Sequence, residues 1–166
     1  MNREYSEFAA LAHASFPTDP IPSEFFWSES KAPLQGDIPE ELQNRIACHR
    51  WPEVTLEHWL MIGAPPCVTR SYLKPSTFLY YLPSLLLGVL GDLRYVDWAL
   101  EGALPYNKGH VPRGTWWAEF SATVSASQRA TLQFFLALVR CTVADPNNQH
   151  LLITAESFWN LDADAR

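Results

Sequence analysis

Cysteine is scarce and unpaired in this sequence: Cys48, Cys67 and Cys141 are odd in number and far apart, so a disulfide framework is excluded as the source of stability. No charged n-region followed by an apolar run and a cleavage site precedes them, and the expected compartment is the cytoplasm. Glycine is also scarce, at seven residues, and none forms a phosphate-cradling loop or a dinucleotide fingerprint. Gly-x-Ser-x-Gly is missing, which removes the usual serine-hydrolase elbow. The five histidines, at 13, 49, 58, 110 and 150, lack the one-turn spacing of a helical metal site, so no metal and no cofactor is expected. Long hydrophobic runs are lacking as well. The longest, residues 79–90, is broken by Pro83, Ser84 and Gly88 and falls short of the ~20 residues a membrane span needs.

Positive charge is the other shortage. Lys and Arg number 12 against 18 Asp and Glu, a net charge of −6, which argues against a broad nucleic-acid surface. The imbalance is concentrated: residues 1–60 hold ten acids (Glu4, Glu7, Asp19, Glu24, Glu29, Asp37, Glu40, Glu41, Glu53, Glu57) and four bases (Arg3, Lys31, Arg45, Arg50). An acidic first third attracts a basic partner by steering its approach; the plainer alternative is a face that only keeps the chain soluble.

What is abundant is apolar and aromatic. Hydrophobic residues make up 48% of the 166, aromatics 13%, with seven tryptophans, enough to close one core of ordinary domain size and to exclude disorder of the whole. The periodicity predicts an all-α, single-domain bundle over residues 1–166, with about six to seven helices around a kinked central helix at residues 75–91. Helices are expected over 4–15, from an Asp37 cap to about His49, from a Thr55 cap to Gly63, from Tyr95 to Gly102, and from the Ser125/Gln128 capping box to Val143. Residues 150–159 read as a final helix, with a strand at 151–154 as the alternative. Residues 17–36 form a long Pro-rich loop carrying Phe25, Phe26 and Trp27. The segment 102–115 is a second loop, closed by Trp116 and Trp117. In the central helix Phe78, Tyr81, Leu82, Leu85, Leu86, Val89 and Leu90 fill nearly all faces. Pro83 removes one backbone bond there, and Tyr80 and Tyr81 are expected to satisfy the oxygens it frees.

A tryptophan after a short polar helix (Trp51) precedes a Leu-x-Pro-x-x-Phe-x-Tyr-Tyr-Leu-Pro block (Leu73, Pro75, Phe78 and residues 80–83). Phe120 and Ser121 then lead to a Gln-Arg helix with Phe-Leu (Gln128, Arg129, Phe135, Leu136). Over roughly residues 40–140 this pattern resembles a family of small uncharacterised bacterial proteins. The resemblance implies no catalytic residue.

The functional expectation is a non-catalytic protein-binding protein, of the immunity type that neutralises a cognate bacterial toxin by covering it. The candidate contact residues are Glu40, Glu41, Phe25, Phe26, Trp27, Trp116, Trp117 and Arg113, because acids steer a basic partner and Trp and Arg dominate interface energetics. Lys108, His110 and Arg113 beside the tryptophans are too few charges for a nucleic-acid site. Two alternatives stand beside it: an enzyme with a site around Tyr80, Tyr81, His58 and Cys67, which requires a deep pocket with convergent polar groups, and a structural or assembly subunit.

Overall fold

The apolar period of the sequence becomes a layered helical fold in a computed structural model that describes residues 2–30, 33–103 and 114–160. Among the described residues there are nine α-helices: α1 (Asn2–Ser15), α2 (Asp37–Arg45), α3 (Leu56–Leu60), α4 (Pro66–Thr69), α5 (Pro75–Gly91), α6 (Val96–Ala103), α7 (Thr115–Thr123), α8 (Ala126–Arg140) and α9 (Pro146–Asn160). Short 3-10 turns at Trp51–Glu53 and Leu93–Tyr95 complete the order. Strand pairing among these residues is limited to one isolated antiparallel bridge between Phe26 and Leu73.

The most apolar helix takes the centre, since only a position surrounded by protein removes all its faces from water. Phe78, Tyr81, Leu82, Leu85, Leu86 and Val89 of α5 are each 0% exposed. Around it pack α1, α3, α6, α7 and the Trp51–Glu53 turn, while α8 joins α1 to α9, and α9 returns to α6. One contiguous apolar cluster runs through all of them.

Pro83 does not end α5, which continues to Gly91. The tyrosine hydroxyls, however, do not serve α5's own backbone as the sequence suggested. Tyr80 Oη donates to Thr18 O at 2.7 Å, and Tyr81 Oη donates to His49 O at 2.9 Å. A phenol is too long and rigid to fold back on its own helix, whereas a serine hydroxyl is short enough. Ser84 does so, donating to Tyr81 O at 2.6 Å while accepting from Trp59 Nε1 at 3.0 Å. The tyrosines instead fasten two neighbouring loops to the central helix.

Several boundaries differ from expectation for local reasons. Asp37 is the first residue of α2 and not its cap; Gly36, at φ 116°, turns the chain in, and the helix stops at Arg45. The Ser125/Gln128 capping box is present, with Ser125 Oγ accepting from Gln128 N at 3.2 Å and Gln128 Oε1 accepting from Ser125 N at 2.9 Å. Residues 150–159 are helical, not a strand: Asp145 Oδ1 accepts from the amides of Asn147 and Asn148 and starts α9 four residues earlier than read, and Leu152, Ala155 and Trp159 point inward at helical spacing. Two helices, α4 and α7, were not expected. Their starts carry proline and glycine in place of a polar cap, so the cap signal is missing.

Candidate functional site

The candidate aromatics are placed first by packing. Phe25 is 8% exposed, which corrects its assignment to a contact surface, and it meets Phe26 and Tyr81 edge-on, with ring centroids 5.0 and 6.0 Å away. The loop behind it is strapped to the N-terminal half of α5 and the residues before it. Lys74 N donates to Phe25 O at 3.1 Å, Trp27 N donates to Tyr72 O at 2.8 Å, and Thr77 Oγ1 donates to Glu24 O at 2.8 Å. Phe26 and Trp27 are half-buried against the core.

Trp116 and Trp117 are buried at 8% and 5% exposure, which corrects their assignment to a contact surface. On α7 the spacing of Trp116, Trp117 and Phe120 puts all three within one wide inward stripe. Trp116 stacks on Phe120 at 5.2 Å and donates Nε1–H to Leu73 O at 2.9 Å. Trp117 lies under the guanidinium of Arg70, 4.8 Å from the ring centroid. Arg70, only 3% exposed, donates to Glu101 O at 2.7 Å and Gly102 O at 3.1 Å, tying α4 to the end of α6. Arg113, with Lys108 and His110, lies outside the described residues.

The acids divide into two groups. Glu7 pairs with Arg3, Glu41 with Arg45 and Asp19 with Arg50, while Glu24 draws Lys74 from outside the acidic third. Every described base of residues 1–60 is thereby engaged. Glu40 is exposed on the first turn of α2, and with Glu29, Asp37 and Glu57, also exposed, it makes no ion pair among the described residues. Of the two candidate acids, then, Glu40 offers its charge outward and Glu41 shares its charge with Arg45. Asp37, Glu29 and Glu57 were not singled out from sequence. The signal was there: none has a base one helical turn away, whereas Glu41 has Arg45 at i+4.

The groups considered for catalysis are each committed elsewhere. Burial, the neighbouring Glu101 carboxylate and its charge push the Cys67 thiol up to about 11, opposite to the direction a thiolate nucleophile requires. His58 Nδ1 accepts from Thr55 N at 3.0 Å and so caps α3. The Tyr80 and Tyr81 hydroxyls both ionise less readily than usual, chiefly through burial, and both hold loop carbonyls. Cys48 and Cys141 are exposed. Among the described residues no group of three or more His, Cys, Asp or Glu is placed to hold a metal ion, and no helix is long and apolar enough to cross a membrane.

With this geometry in place, no family model matches the chain, and comparison with curated proteins and with solved structures returns no match.

Proposed function

We propose that this chain is a non-catalytic protein-binding protein acting in the cytoplasm, of the immunity type, and that its acidic first third seats a basic bacterial toxin. The observation that carries the reading is the charge left over after pairing. All described bases of residues 1–60 are matched to acids, yet Glu29, Asp37, Glu40 and Glu57 remain exposed without a cation among the described residues. Such a surplus gains little for folding, because exposed acids repel one another, but it accelerates encounter with a positively charged surface. The commitment of Tyr80, Tyr81, His58 and Cys67 to structural contacts supports the non-catalytic part of the reading.

Co-expression with basic toxin reading frames taken from the neighbouring genes tests it. The expected result is co-purification of one of them and rescue of growth. If every toxin kills with the protein present, and none is retained by it, the reading is wrong.

A further inference from the structure

No two histidines of this sequence stand one helical turn apart, yet the fold brings two of them together. The ring centroids of His49 and His58 lie 5.7 Å apart, with the planes tilted by 40°. Both residues are half-buried, and both belong to the acidic residues 1–60. His49 sits where the chain leaves α2. Tyr81 Oη of the central helix donates to its carbonyl at 2.9 Å and its N–H donates to Ile46 O at 3.0 Å, while its ring makes no hydrogen bond among the described residues. His58 is held by the ring itself: Nδ1 lies 3.0 Å from Thr55 N and 2.9 Å from Thr55 Oγ1. The helix that carries it is fixed to α5 by Trp59 Nε1, which donates to Ser84 Oγ at 3.0 Å. Neither imidazole pairs with a carboxylate among the described residues.

We propose that His49 and His58 together bind a divalent ion of borderline softness, Zn²⁺, Ni²⁺ or Cu²⁺, with water in its other positions. Two imidazoles on one such ion, each nitrogen about 2.0–2.1 Å from it, hold their ring centroids about 5–6 Å apart, which matches the separation of this pair. Imidazole nitrogen suits these metals, whereas Mg²⁺ and Ca²⁺ call for oxygen donors. With Nδ1 fixed at Thr55, Nε2 is the His58 nitrogen left for the ion. A ligating imidazole donates its other N–H to a neighbouring acceptor, and Thr55 Oγ1 is in place for that role. In the free chain Nδ1 accepts from Thr55 N; on binding, the ion takes the place of the Nε2 proton, and Nδ1 gains a proton that it donates to Thr55 Oγ1. The ring changes tautomer without a net loss of protons. The field of residues 1–60, with ten acids against four bases, favours a cation here. Two protein donors are fewer than the four of a structural zinc site, so the ion exchanges and the fold stands without it.

Titration of the full chain with Zn²⁺ at neutral pH, followed by the histidine ring signals, tests this. Cys48→Ser and Cys141→Ser are introduced first, so that the exposed thiols take no metal. The His49 and His58 signals shift and saturate together, and the Thr55 amide signal moves as its acceptor is withdrawn. His49→Ala weakens binding by about ten-fold or more, because the second donor no longer acts at high effective concentration. That variant leaves the cap of α3 intact, so it decides the matter even where His58→Ala fails to fold. Thr55→Val keeps both rings but removes the acceptor for Nδ1–H, which weakens binding by about ten-fold, and Thr55→Ser restores it. His13→Ala and His150→Ala each change affinity by less than about two-fold. Cu²⁺ binds more tightly than Ni²⁺ or Zn²⁺, and Mg²⁺ does not compete. Shifts confined to His13, His110 or His150, affinity that survives His49→Ala, or a Thr55 amide unmoved at saturation overturns the site. Toxin co-purification decides the protein-binding reading separately, since that reading needs no metal.

Discussion

Gly88 of α5 leaves no room for a side chain against Leu56 at the start of α3, and replacing it with alanine separates packing from helix propensity. A methyl group there would lie 2.7 Å from Leu56 Cβ and 3.2 Å from Leu56 Cα and N. Those atoms belong to the start of a helix and cannot rotate aside, so the whole of α3 must move. Behind it sits Trp59, 1% exposed and donating to Ser84 Oγ at 3.0 Å, which resists that movement. Overpacking of this kind costs about 1–3 kcal/mol, against which a mid-helix Gly→Ala exchange returns up to ~1 kcal/mol. The net expectation for Gly88→Ala is destabilisation by about 1–2 kcal/mol, a fall in Tm of about 2–8 °C for a chain of this size. Gly91→Ala supplies the control, because a methyl there meets nothing within 4 Å; it should be neutral or stabilising by up to ~1 kcal/mol. Thermal unfolding followed by circular dichroism measures both. If Gly88→Ala is as stable as Gly91→Ala, the close seating of α3 on α5 is wrong.

Trp117→Ala removes a 5% exposed ring that carries Arg70 and meets Phe158, and should cost about 3–5 kcal/mol in urea unfolding; a cost near that of a surface substitution would return Trp117 to the candidate contact surface. Ser125→Ala breaks the capping box of α8 and should lower stability by about 1 kcal/mol, with a rescue by Asp and none by Leu. Thiol labelling at neutral pH should modify Cys48 and Cys141 quickly and Cys67 slowly, since only Cys67 is shielded and pushed up to about 11. The same shift fixes a pH sign. The folded-state value of Cys67 is raised above its unfolded value, so its contribution to stability is complete below the ordinary thiol range and is lost as pH rises through that range towards about 11. Cys67→Ala should flatten the stability profile in that window, and an unchanged slope would contradict the burial.

Much of the helical framework was legible because its signals are local. α5 announces itself by apolar residues on every face, and α8 by Ser125, Gln128 and the period of Leu132, Phe135 and Val139. The pairing of Glu41 with Arg45 follows from their spacing of four. What could not be read is set by contacts distant along the chain. Tyr80 and Tyr81 were assigned to backbone groups of their own helix, but their partners Thr18 and His49 are 62 and 32 residues away. The tryptophans of α7 sit beside a Gly- and Pro-rich segment and so looked like loop residues; their burial depends on Leu73 and Arg70, more than forty residues earlier. For the candidate site, the acidity of residues 1–60 was legible in composition and the want of a base one turn from Glu29, Asp37, Glu40 and Glu57 in spacing, while the pairings of Asp19 with Arg50 and Glu24 with Lys74, 31 and 50 residues apart, were not.

Association with a basic toxin through that surplus charge is the central claim, and the salt dependence of the association rate tests it most directly. Stopped-flow mixing with a co-purified toxin at about 20 and about 200 mM salt should show the rate falling by about ten-fold, as expected for steering across a Debye length of that order. Reversal of Asp37, Glu40 and Glu57 to lysine should bring the low-salt rate down to the high-salt value. A rate that ignores salt, and is unchanged by the triple reversal, would contradict the account.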